Sequence, residues 1–298
     1  MKNLIRFDWA VKRLLRNKVN FGILEGFLSE LIGEDIKIDS ILESESNKDN
    51  KNDKFNRVDL LVKNSKEELI IIEVQNNREH DYLLRILFGT SKLLIENMNT
   101  GMVYSQIKKV ISVNIVYFDL GQGEDYIYHG TTNFIGLNKK DTLKLSEDQQ
   151  LLYKTDTIAK IYPEYYVIKV NQFNDVAKNT LDEWIYFFKT EEIKDEFKAK
   201  GIKQAKVELD ILKLSEAERK EYEKYIEQER YEESLIVSNY KVGELKGIEN
   251  ERKRQEEKQR NEKKEITRKC LKKGMSITEI TELTGLLNED IEKLKNEY

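Results

Sequence analysis

The hydrophobic pattern changes period several times along the chain, and each change marks an element. From Phe7 to Arg16 and from Phe21 to Ile32 apolar residues recur every three or four positions, which predicts two helices, with Asn20 placed to cap the second. "DIKIDSIL" (35–42) then alternates polar and apolar residues as a half-buried strand does. The polar, low-complexity "ESESNKDNKNDKFN" (43–56) reads as an exposed loop. Two strands follow in "RVDLLVKNSKEELIIIEVQ", over about 57–63 and 68–75, joined through "NSKE". "REHDYLLRILFGTSKLLIENM" (78–98) is amphipathic at helical period, and "KKVISVNIVYF" (108–118) is a β-branched run suited to a buried strand. Further strands are expected at "DYIYHG" and at "EYYVIKV", just after Pro163, and a helix at "DVAKNTLDEWIYFFKT". Helices, strand, hairpin, helix, strand: the order predicts a mixed α/β fold with a small central sheet flanked by helices.

Beyond about Gly201 the composition shifts to Glu, Lys, Gln and Arg. "SEAE" (215–218) is a capping box at the start of long charged helices, expected to break near Gly243 and Gly247. The tail carries a second capping box at Ser276 and Glu279, a turn near Gly285 and a further start at Asn288. With Ile266, Cys270 and Leu271 on the preceding helix, this predicts a small helix-turn-helix-like unit. The expected organisation is 1–200, a charged helical linker over 201–262, and the C-terminal unit over 263–298.

Composition narrows the chemistry. Among 298 residues, 39% are apolar, enough for a sizeable core, and the 36% charged residues nearly cancel to a net charge of -4. Binding to a polyanion must therefore use a local basic face; Arg6, Lys12, Arg13, Arg16 and Lys18 are candidates, weighed against an ordinary solvated helix surface. Cys270 is the single cysteine, which suits a reducing interior. The opening "MKNLIRFDWAVKRLL" reads as neither a signal peptide nor a membrane span, so the expectation is a cytoplasmic protein with no membrane partner. With only His80 and His129, imidazole-based metal clusters and nucleophile triads are improbable, and neither histidine is given a role. No phosphate-binding glycine loop occurs and "GQGEDY" lacks dinucleotide-loop spacing, so no nucleotide cofactor is expected. Any catalysis falls to carboxylates and a metal.

The hairpin supplies the carboxylates. A turn centred on Lys66 sets Asp59 opposite Glu73 on one face, and Gln75 joins that face two residues on. A buried carboxylate in a run as apolar as "LIIIEVQ" costs several kcal/mol unless it is compensated, by a metal, by a basic side chain or by solvent at the strand end. The bland reading is an ion pair with Arg57, Lys63 or Arg85.

An Asp followed across a hairpin by Glu-x-Gln resembles the PD-(D/E)XK nuclease core, with Gln75 where that motif has lysine. "FDWAVKRLL", "RVDLL", "IIIEVQ", the helix with Arg85 and "GTSKLL", "VISVNIVYFDL" and "LDEWIYFFK" together resemble the Rpn family of recombination-promoting nucleases, often labelled transposases. The likeness covers roughly residues 1–200, and "GMSITEITELTGL" resembles the C-terminal segment of many members. It implies a restriction-endonuclease-like core and a Mg²⁺-dependent DNA endonuclease, with Mn²⁺ as a substitute. Asp59, Glu73 and the main-chain carbonyl of Val74 would ligate the metal, and Gln75 would orient a water or a phosphate oxygen. Gln75 cannot supply the charge of the motif lysine; Lys12, in "FDWAVK", is the replacement candidate. Asp8, four residues earlier, could hold Lys12 or the metal, although a surface i, i+4 pair is the simpler reading.

DNA is the implied partner, and cutting both strands needs two sites, which favours a homodimer. Two other readings stay open: a catalytically silent DNA-binding or scaffold protein on a nuclease fold, and a strand-transfer transposase with a third acid among Asp8, Asp119 and Asp125. In the tail, Asn288, Glu289 and Asp290 open the last helix, and the two acids repel phosphates, which favours packing or protein contact.

Overall fold

The computed structural model describes residues 4–42, 59–98 and 101–296. The loop over 43–56 and Arg57 lie outside them. Contacts divide the chain into two compact units, Met1–Tyr225 and Ile226–Tyr298.

In the first unit six strands form one mixed sheet in the order β1-β2-β3-β4-β6-β5. The strands are β1 Ile38–Leu42, β2 Leu60–Asn64, β3 Leu69–Gln75, β4 Val110–Val116, β5 Ile127–Gly130 and β6 Glu164–Lys169. β1, β2 and β3 are antiparallel, β3, β4 and β6 parallel, and β5 closes the edge antiparallel to β6. The hairpin is shaped by its own turn. Asn64 Oδ1 accepts from the backbone N–H of Lys66 at 3.0 Å and of Glu68 at 2.9 Å, while Glu67 takes the left-handed conformation at φ 65°. The resulting register pairs Leu60 with Ile72 and Leu61 with Ile71, as the turn centred on Lys66 predicts.

β3 and β4 are buried on both faces, which explains sequences that are apolar without alternation. Leu69 and Ile71 pack with Leu61, Val110 and Leu93, the last from α3 (Tyr82–Glu96). Odd positions of β3, and with them Glu73 and Gln75, therefore face α3. Helices α1 (Phe7–Arg13), α2 (Phe21–Ile32) and α5 (Thr180–Thr190) contribute a ring cluster in which Phe188 lies 4.2 Å from Phe7 and 5.0 Å from Phe27. Each such side chain, fully buried, contributes roughly 1.5–3 kcal/mol. α2 also meets the start of α6 (Ile202–Glu208) closely: a Cβ on Gly26 would stand 2.1 Å from the carbonyl oxygen of Lys200.

Several local expectations change. α1 stops at Arg13, and Asn20 donates its side-chain N–H to the Leu14 carbonyl at 3.0 Å instead of capping α2. A helix not anticipated, α4 (Glu147–Tyr153), begins at a capping box of Ser146 and Gln149. His80 is exposed, and His129, on the edge strand, stacks on Tyr166 and meets Glu164 at 2.7 Å.

The charged region is one helix, α7 (Glu216–Lys272), of 57 residues, opened by the capping box of Ser215 and Glu218. It continues through Gly243 and Gly247, correcting the expected break: one glycine costs about 1 kcal/mol, too little to stop a helix supported by pairs such as Lys253–Glu249. α8 (Ile277–Thr284) and α9 (Asn288–Asn296) follow, with Ser276 and Glu279 forming the predicted capping box and Gly285 at φ 64° ending α8. Thr267, Ile280, Ile291 and Leu294 are buried in this unit, whereas Ile266 is exposed. Among the described residues no helix is long and apolar enough to cross a membrane.

Candidate active site

The hairpin register carries Asp59 directly opposite Glu73, one residue before β2 begins. Asp59 Oδ2 accepts the Val74 N–H at 2.8 Å, continuing the ladder with a side chain where backbone pairing ends. In a strand the N–H and C=O of one residue leave on the same side, so the Val74 carbonyl points toward the Asp59 side as well. Lys12 Nζ reaches Asp59 Oδ1 at 3.5 Å from α1, and Arg16 donates to the Asp59 carbonyl at 2.7 Å. Two of the five candidates for a basic face, Lys12 and Arg16, thus meet Asp59. Of the rest, Arg6 pairs with Asp8 and Arg13 lies 3.9 Å from Glu221.

Glu73 is only 7% exposed. Burial pushes its carboxyl up to about 7; Arg85, at 3.8 Å, opposes the rise, and the Asp59 carboxylate adds to it. Asp59 is raised for the same first reason, with Lys12 and the Val74 N–H opposing. Arg85 holds Glu79 more closely, at 2.7 Å, and Glu79 accepts from Gln75 Nε2 at 2.9 Å. Gln75 Nε2 also donates to the Asn77 carbonyl at 3.2 Å. Gln75, Glu79, Arg85 and Glu73 therefore form a chain of polar contacts along the α3 face. The Tyr82 hydroxyl, buried beside Asn114, is held above its ordinary value by burial and by Glu73. Lys63, a suggested ion-pair partner of the acids, instead meets Asp39 and Glu67.

Asp8 corrects the surface-pair reading. It is 1% exposed and accepts from Arg6 at 2.7 Å, the Trp9 N–H at 2.7 Å, Asn76 Nδ2 at 2.7 Å and the Tyr225 hydroxyl at 2.5 Å. It ties α1 and the first turns of α7 to the residue following Gln75. Asp119 is exposed, and Asp125 turns its carboxylate to the backbone N–H of Tyr126 and Ile127. Sequence reasoning missed Glu79 and Asn76; an acid just before the N-terminus of α3 was the one available signal for Glu79.

The donors suit a hard divalent cation. Two neighbouring carboxylates share a desolvated face, both raised because the nearby cations do not fully offset burial, and a carbonyl lies on the same side. Among the described residues no group of three or more His, Cys, Asp or Glu forms a complete cage.

A mixed sheet flanked by helices, with opposed acids where a hairpin meets the parallel strands, defines a restriction-endonuclease-like α/β core. The chain belongs to the PD-(D/E)XK nuclease family transposases, whose family model matches residues 5–239. No curated protein and no solved structure gives a significant match.

Proposed function

We propose that the protein is a metal-dependent DNA endonuclease that serves DNA recombination or transposition in the cytoplasm, acting as a homodimer on duplex DNA. The observation that carries this reading is the pairing of Asp59 with the buried Glu73, with Lys12 against Asp59. Asp59, Glu73 and the Val74 carbonyl would hold Mg²⁺, or Mn²⁺ in its place, which would supply Lewis-acid polarisation of the scissile phosphate and activation of water. Lys12 supplies the positive charge that Gln75 cannot, stabilising negative charge on the phosphate as water adds and one P–O ester bond breaks. Gln75 orients the water or a phosphate oxygen, and Glu79 and Arg85 keep Gln75 and Glu73 in place. Lys12, Arg13 and Arg16 offer charge for the DNA backbone beside the acids. In this reading residues 1–200 form the nuclease domain, 201–262 a helical linker and 263–298 a packing or protein-contact unit.

One observation favours a catalytically silent DNA-binding fold: the Gln75 amide nitrogen is committed to Asn77 and Glu79. Strand transfer gains no such support, because Asp8 is occupied by four donors and Asp119 and Asp125 are exposed. An end-labelled linear duplex incubated with protein, Mg²⁺ and unlabelled target DNA separates the three. Shorter labelled fragments are the expected result; joined products would replace hydrolysis with strand transfer, and an intact but gel-shifted duplex would replace it with binding alone.

A further inference from the structure

α3 is apolar on two opposite faces. Tyr82, Ile86, Thr90 and Leu93 are buried toward the sheet. On the opposite side Leu83, Leu84, Leu87, Phe88 and Ile95 are each between 53 and 73% exposed, with Ser91 among them. Arg85, Lys92 and Glu96 run between the two faces. A helix apolar all round belongs in an interior, so the outer stripe is a surface prepared for cover.

We propose that a second copy of this chain covers it, through an antiparallel α3–α3 contact about a two-fold axis. The stripe is self-complementary in the way such a contact requires. Leu83 and Ile95 lie equally far from the helix midpoint at Gly89, so the antiparallel arrangement sets Leu83 of one copy against Ile95 of the other. Leu87 and Ser91 are related in the same way, and the large side chain meets the small one. Each contact occurs twice, as in an isologous interface. Leu84, Leu87 and Ser91 are spaced by three and four, as along the seam of a helix pair. The stripe itself carries no charge, so pairing it with itself buries no unpaired ion. Five side chains at these exposures present on the order of 600 Å² of apolar surface, so two copies hide on the order of 1,200 Å², the lower edge of a stable specific interface.

The contact also bears on the candidate site, because Tyr82 and Arg85 are on the same helix and Arg85 holds Glu73 and Glu79. That consequence, two sites presented together to duplex DNA, rests on the nuclease reading; the surface itself does not. The test therefore reads mass, so that a failed dimer and a failed nuclease give different results. Sedimentation equilibrium of the full-length protein at tens of micromolar should give twice the 35.3 kDa chain mass. Leu84→Glu/Phe88→Glu should give the single-chain mass with an unchanged circular dichroism spectrum. A monomeric natural protein overturns the proposal, and so does a variant that stays dimeric, since another surface would then hold the copies. If the double variant unfolds, cross-linking decides. In a Cys270→Ser background, Ser91→Cys should couple two chains through a short bis-maleimide while Asp156→Cys, on an exposed turn, should not; equal coupling at both positions overturns the assignment.

Discussion

Replacing Glu73 by Gln tests whether the buried acid is held in the structure at a cost. The folded protein raises this carboxyl from 4.5 to about 7, chiefly by burial. At about 1.4 kcal/mol for each tenfold change in proton affinity, its ionisation costs the fold about 3 kcal/mol. Between pH 4.5 and 7 the folded chain binds more protons at this group than the unfolded chain does, so its contribution to stability falls as pH rises through that window. Gln has nearly the same shape and no charge, and Arg85 retains Glu79 at 2.7 Å. Urea unfolding in chelator at pH 5 and pH 8 should show two proteins of similar stability at the lower pH. At the higher pH the variant should gain up to about 3 kcal/mol, with an unchanged dependence on urea. Asp59 titrates in both proteins and largely cancels in the difference. Saturating Mg²⁺ at pH 8 should then stabilise the natural protein and leave the variant where it was. A difference independent of pH, or a variant weaker at pH 8, would refute the assignment of an uncompensated buried charge.

Other perturbations give separate readings. Asp8→Ala leaves Arg6, Asn76, the Trp9 N–H and Tyr225 without a shared buried acceptor and should cost about 3–5 kcal/mol, measured by urea unfolding. Gly26→Ala forces a Cβ into the Lys200 carbonyl and should cost about 3 kcal/mol by thermal unfolding. Gly243→Ala meets nothing within 4 Å and should instead stabilise α7 by about 1 kcal/mol, read as increased helicity on heating. Lys12→Ala should slow DNA cleavage about 10²-fold or more in single-turnover assays while leaving the unfolding midpoint nearly unchanged.

What the sequence revealed depended on how local the cause was. The hairpin was legible because its turn is written in four residues: Asn64 closes it, the register follows, and Asp59 then has to face Glu73. The two capping boxes at Ser215 and Ser276 were legible for the same reason, and the one at Ser146 carried an equal signal that was passed over. Asp8 was misread because an i, i+4 rule sees one helix, whereas its partners Asn76 and Tyr225 come from 68 and 217 positions away. Glu79 was overlooked because its importance lies in bridging Gln75 and Arg85, a relation created only when α3 folds back on β3. The continuity of α7 is not local to Gly243 or Gly247: it rests on charge pairs along the whole helix, such as Lys253–Glu249, which offset the cost of each glycine.

The most direct measurement of the central claim is nicking of supercoiled plasmid in Mg²⁺ and in chelator by the natural protein, Asp59→Asn and Glu73→Gln, each shown to be folded. The natural protein should nick or linearise the plasmid in Mg²⁺ alone, and either substitution should abolish it. Cleavage that survives both substitutions, or that proceeds in chelator, would contradict a metal site built on this carboxylate pair.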